Sequence, residues 1–140
     1  MNTAHRARSV VVVGAGIGGL AAALSLHRAG HDVHVYESVD EVKALGVGIN
    51  LLPHAVRELD ALGLLDRLVA VSVQPTTLAY FTKRGQQIWD EPRGLAAGYR
   101  WPQCSVHRGE LQQLLYRATI ERLGADRVHT GHHLVDLESH

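Results

Sequence analysis

The sequence predicts an α/β fold: a parallel β-α-β unit at the N-terminal end, followed by a layer that opens with a β-hairpin. Two observations carry the first half. Ser9–Val13 is a β-branched apolar run of the kind that forms a fully buried strand. It breaks at Gly14-Ala15-Gly16-Ile17-Gly18-Gly19, which fits G-x-G-x-x-G and is followed by a helical apolar pattern and a second strand. A third observation carries the second half: two strand-like stretches, Thr76–Thr82 and Gln86–Asp90, flank Lys83-Arg84-Gly85.

The elements follow in order. After the glycine turn, Leu20, Ala23, Leu24 and His27 recur at helical spacing, and Gly30 stands where a left-handed helix end is wanted. Asp32–Glu37 alternates, with Val33 and Val35 on one face and His34 and Tyr36 on the other. Residues 8–37 thus form the β-α-β motif. Ser38–Asn50 reads as a loop with a second glycine pair, Gly46 and Gly48. Asn50–Leu62 reads as a helix with Pro53 in its first turn, a stripe of Leu52, Val56, Leu59 and Leu62, and Gly63 as its stop. Leu64–Val71 adds a short helical turn, and the hairpin occupies residues 75–91. Glu91–Gln103 is broken by Pro92, Gly94, Gly98 and Pro102 and reads as irregular. Residues 106–124 hold the next helix, with Leu111, Leu114, Leu115 and Ala118 on one face. Arg127–Leu137 reads as one last strand or two short ones.

The motif has a definite chemistry. Gly14 permits the tight turn, Gly16 lets backbone approach a pyrophosphate, and Gly19 lets the helix lie close on the strand. The exposed N–H groups at the helix start attract phosphate. Glu37, eighteen positions after Gly19, can accept hydrogen bonds from an adenosine ribose. This is a Rossmann-type dinucleotide site, and the motif by itself leaves FAD and NAD(P) open. A simple nicotinamide domain would continue alternating strand and helix. The hairpin that interrupts the alternation points instead to a flavoprotein arrangement.

Composition bounds the alternatives. The 140 residues are 46% apolar and 20% charged, the range of a globular domain with a sizeable core. Fourteen basic residues balance fourteen acidic ones, so no field favours nucleic acid or an acidic membrane surface. Arg6 and Arg8 precede a nearly uncharged stretch, Ser9–Leu26, but its glycines and partner strand mark it as core rather than as a signal peptide or membrane span. A single cysteine, Cys104, excludes an internal disulfide and fits a reducing cytoplasm. Ser25, Ser105 and His107 lack the context of a hydrolase nucleophile. His129, His132 and His133 lack the further ligands of a tetrahedral set, so no metal site is expected. Tyr80, Trp89, Tyr99 and Trp101 are expected to pack the hairpin and its connection rather than to line an aromatic pocket.

Three stretches in order, VVVGAGIGGLAAALSLHRAGHDVHVYE, EVKALGVGINLLPHAVRELDALGLLD and SVHRGELQQLLYRA, resemble the N-terminal part of the single-component FAD-dependent aromatic hydroxylases. The likeness is to the p-hydroxybenzoate-hydroxylase-like flavoprotein monooxygenases, and within them to the salicylate- and phenazine-hydroxylase-like branch. It implies that Gly14, Ala15, Gly16 and Gly19 cradle the FAD pyrophosphate and that Glu37 holds the ribose. It further implies that Lys43, where relatives often carry arginine, touches FAD or nicotinamide. Gly46, Val47 and Gly48 would run beside the isoalloxazine ring, and Arg108 would reach the flavin or its phosphates. The implied reaction uses NAD(P)H and O₂ to hydroxylate a small aromatic substrate, with no catalytic side chain identified in this stretch. Members of that family run to several hundred residues and carry later Asp-Gly and Gly-Asp motifs. The chain is therefore expected to be the N-terminal portion of an FAD-binding domain, incomplete relative to the family. Self-association through exposed apolar surface, or pairing with a separate C-terminal half, is expected with it. An NAD-dependent dehydrogenase domain and a non-catalytic truncated remnant are the alternatives.

Overall fold

The structure is a computed structural model that describes residues 7–138; Arg6 lies outside the described residues. The chain divides into two units, residues 1–44 with 112–140, and residues 45–111.

In the first unit, β1 (Ser9–Val13) leads through the glycine turn into α1 (Ile17–Arg28), and β2 (Asp32–Tyr36) returns parallel to β1. The register runs from Ser9 opposite Asp32 to Val13 opposite Tyr36, the parallel pairing that a crossover helix between two strands allows. Leu20, Ala23 and Leu24 of α1 and Val33 and Val35 of β2 are buried, so the two periodicities read from the sequence meet in one core. His27 does not belong to that stripe. It is exposed in the last turn of α1, where a basic group suits the helix dipole. The helix ends as its sequence suggests: Gly30 N–H bonds to the His27 carbonyl and His31 N–H to that of Leu26.

Ser9–Val13 is not fully buried. Val11 and Val13 are 60% and 54% exposed, because β1 lies at the edge of a sheet ordered β1-β2-β8 and only one of its faces meets α1. The last strand of that sheet, β8 (Val128–His129), is two residues long and parallel to β2. The longer strand expected over Arg127–Leu137 does not form; residues 130–138 are without regular structure.

The second unit is antiparallel. β3 (Gly48–Leu51) pairs with β7 (Cys104–His107), and the short β4 (Ser72–Val73) pairs with the other edge of β7. Between them run α2 (Pro53–Ala61), α3 (Leu65–Ala70) and the hairpin β5 (Thr77–Phe81) and β6 (Gln87–Pro92). Val56, Leu59, Leu62, Leu64, Leu68, Cys104 and Val106 are buried in this unit.

Two strands here were expected to be something else. Gly48–Leu51 reads as loop and helix start, yet it is extended; α2 begins at Pro53 with Leu52, 43% exposed, as its N-cap. Residues 106 and 107 read as helix, yet they close β7, and α4 (Arg108–Leu123) starts one residue later. Each segment is only four residues long, too short to show a period, and each is extended because the other supplies its hydrogen bonds. The connection after β6 holds one 3₁₀ turn, Gly94–Ala97.

Candidate dinucleotide site

Physical reasons assemble the glycine turn atom by atom. Gly14 has φ +98°, a conformation costly for any residue with a Cβ, and its N–H bonds to the Tyr36 carbonyl at 2.7 Å. Gly19 is where helix meets strand. A Cβ there would sit 2.0 Å from the Gly14 carbonyl oxygen. Gly16 is the N-cap of α1 in extended conformation, and the helix start carries no side-chain cap and no acidic residue. A Cβ on Gly16 or Gly18 would meet no protein atom within 4 Å. The turn therefore presents uncapped N–H groups and the positive end of α1 to open space. That arrangement fits a pyrophosphate.

Glu37 plays a part that the sequence did not disclose. One carboxylate oxygen accepts the Ala15 N–H at 2.6 Å, and the other accepts the Val39 N–H and the Ser38 hydroxyl, both at 3.0 Å. The acid thus ties the glycine turn to the end of β2. The bond from Val39 N–H leads in holding its pKa below the ordinary 4.5, helped by Ala15 and Ser38 and opposed by burial. From α4, Gln112 Nε2 donates to the Ala15 carbonyl at 2.9 Å, and Gln113 Nε2 donates to the Val42 carbonyl. Both peptide groups of Ala15 are therefore engaged. Neither glutamine could be found from the sequence, where they are simply two polar residues on a helix.

Gly46, Val47, Gly48 and Arg108 come together in the second unit. Gly46 has φ +135°, and a Cβ there would lie 3.0 Å from Cβ of Arg108, so the arginine stem packs on bare backbone. Arg108 N–H bonds to the Val47 carbonyl at 3.0 Å, and Gly48 pairs with His107 across the β3–β7 ladder. His107 completes this corner. Gly109 N–H donates to its Nδ1 at 3.2 Å, so the proton sits on Nε2, which donates to the Gly46 carbonyl at 2.9 Å. One imidazole thereby caps α4 and anchors the Gly46 loop. Lys43 belongs to the first unit; its Nζ lies 3.4 Å from Glu41 Oε2 on an exposed surface.

His34, His129 and His132 gather with Tyr36 in one cluster of rings. His129 stacks on Tyr36 with centroids 4.5 Å apart, and His34 and His132 flank it at 5.5 and 5.8 Å. No group of three or more metal-ligating side chains occurs among the described residues. Tyr80 and Trp89 pair across the hairpin as expected, with ring centroids 5.8 Å apart. Tyr99 and Trp101 do not; they line a cleft beside α2. No described helix is long and apolar enough to cross a membrane.

An uncapped helix start behind a glycine turn, closed by an acid at the end of the adjacent parallel strand, defines a dinucleotide-binding protein. The chain belongs to the FAD binding domain family, which it matches over residues 7–139. Of the readings left open by the motif, this selects FAD as the cofactor. The chain is 51% identical over 130 residues to the phenazine 1,6-dicarboxylic acid hydroxylase of Lysobacter antibioticus, covering 92% of this chain and 32% of that protein. It is 34% identical to 3-hydroxybenzoate 6-hydroxylase 1 of Aquipseudomonas alcaligenes, covering 94% and 34%. Among solved structures it resembles 2-methyl-3-hydroxypyridine-5-carboxylic acid oxygenase in a tetrameric form, with TM-score 0.75, 28% identity, and 90% and 32% of the two chains covered. It also resembles Klebsiella pneumoniae HpxO complexed with FAD and uric acid, with TM-score 0.68, 32% identity, and 91% and 31% covered. The chain spans about a third of the length of these relatives.

Proposed function

We propose that this chain supplies the FAD-holding part of a monooxygenase that uses NAD(P)H and O₂ to hydroxylate a small aromatic substrate. The observation that carries the reading is the glycine turn: uncapped N–H groups at the start of α1, with open space where Cβ atoms on Gly16 and Gly18 would project. The relatives, each a hydroxylase or oxygenase by name, support the reaction class. When bound, FAD supplies the redox and oxygen chemistry.

The chain's own residues hold and orient it. The turn that Gly14, Ala15, Gly16 and Gly19 shape receives the pyrophosphate at the uncapped start of α1, whose dipole stabilises it. Glu37 keeps a spare lone pair for a ribose hydroxyl on the oxygen that accepts from Ala15, while its other oxygen is taken by Val39 and Ser38. Gly46, Val47 and Gly48 run beside the isoalloxazine, with Gly48 offering open backbone, the Arg108 stem packed on Gly46, and the Arg108 guanidinium reaching the flavin. Lys43, on its exposed loop, is free to take a second anionic group. A cytoplasmic location accords with the one cysteine, which is a free buried thiol.

The test is retention of FAD by the purified 140-residue chain. Flavin absorbance that survives gel filtration, and falls at least tenfold in Gly16→Val while the thermal melting curve is kept, supports the proposal. A chain with a cooperative melting transition that retains no flavin, or retains it equally in Gly16→Val, refutes it.

A further inference from the structure

The second unit contains a cleft of about 580 Å³ that none of the predicted cofactor residues lines. Its walls come from the start of α2 (Leu52, Pro53, His54, Arg57), the end of β6 (Glu91, Pro92, Arg93) and the connection to β7 (Tyr99, Arg100, Trp101). Three guanidinium groups face one carboxylate.

Those charges are incompletely used within the protein. Arg57 pairs with its exposed neighbour Glu58. Arg93 pairs through Nη2 with Glu91, while its buried Nε has no hydrogen-bond partner among the described residues. A buried donor without an acceptor is costly, and such groups call for an explanation. Arg100 carries its guanidinium 5.2 Å above the Trp101 ring, and the indole is fixed at its edge by its N–H bond to Asp60 at 2.9 Å. Tyr99 is 60% exposed. The α2 start contributes its dipole without a side-chain cap. Planar arginine forks beside an exposed phenol and a half-buried indole in one concave site select a flat ring that bears anionic oxygens.

We propose that this cleft is a second ligand site, separate from the FAD-holding residues, for a planar aromatic anion. Two sources share that chemistry: an aromatic carboxylate and the base and phosphate of a nucleotide. The guanidinium groups take the oxygens, and Tyr99 and Trp101 take the ring.

The 140-residue chain carrying Trp89→Phe leaves Trp101 as the only tryptophan, so its fluorescence reports the cleft. It is titrated, without FAD, with benzoate, AMP, benzamide and inorganic phosphate. Saturable quenching by benzoate or AMP with a Kd of about 1 mM or tighter is expected, with benzamide and phosphate at least tenfold weaker. Whichever of the two binds identifies the source. Arg93→Gln and Arg100→Gln should each weaken binding about tenfold. Arg100 is exposed, so its variant keeps the test valid even where Arg93→Gln disturbs folding. Four outcomes overturn the proposal: no saturable quenching, equal binding of benzamide, equal binding of phosphate, or binding unchanged in Arg100→Gln. Because no flavin is present, none of these outcomes bears on the FAD reading.

Discussion

Two neighbouring glycines in α1 should respond to the same substitution in opposite directions. Gly18 and Gly19 both lie in the first turn of the helix, and alanine raises intrinsic helix stability by about 1 kcal/mol at either. At Gly18 the new methyl meets no atom within 4 Å, so Gly18→Ala should gain roughly 0.5–1 kcal/mol. At Gly19 it would lie 2.0 Å from the Gly14 carbonyl oxygen and 3.4 Å from Cγ1 of Val12. The 2.0 Å contact is backbone, so no rotamer relieves it, and α1 must move away from β1 by about 1 Å. Forced overpacking of this kind costs about 1–3 kcal/mol. The helix gain is common to both, so the two variants should differ by roughly 1–3 kcal/mol, or about 3–12 °C in Tm for a domain of this size. Urea and thermal unfolding followed by far-UV circular dichroism measure the difference. Equal stability of the two variants would refute the reasoning, since it would mean that α1 does not rest on Gly19.

The other tests concern the two tethering residues. Glu37 has a lowered folded pKa, so its contribution is complete above the ordinary 4.5 and is lost as pH falls through the lower folded value. Glu37→Gln, which keeps one acceptor and places an amide against a backbone N–H, should cost about 1 kcal/mol at pH 7. That deficit should shrink as Tm is followed from pH 6 to about pH 3; parallel curves would show that the carboxylate is not what braces the turn. His107→Ala should cost about 1 kcal/mol by removing the α4 cap, and His107→Asn should restore part of it. Hydrogen exchange should quicken at the Gly109 and Arg108 amides in the alanine variant, and unchanged protection there would exclude the tether.

Local pattern was enough where one residue's role depends on its near neighbours. Gly14 and Gly19 are legible because turn and packing are both set within six residues of backbone. Val33 and Val35 are legible because a strand alternates. The hairpin is legible because Gly85 and two strand-like flanks signal it together. Glu37 was found as an acid at the right distance, but its grip on Ala15 was not, because that bond joins positions 22 apart. The same limit hid β3 and β7, whose partners lie 55 residues apart where Asn50 faces Ser105.

Local sequence sets the first β-α-β unit and its glycine turn, and it narrows the cofactor to a dinucleotide. These follow from sterics and hydrogen bonding within a few residues, which any context must respect. Tertiary structure alone decided that β1 keeps one apolar face open, that Gln112 and His107 brace the two glycine segments, and that three arginines gather around Trp101. Those depend on which distant segments share a neighbourhood, and chain topology, not local preference, sets that.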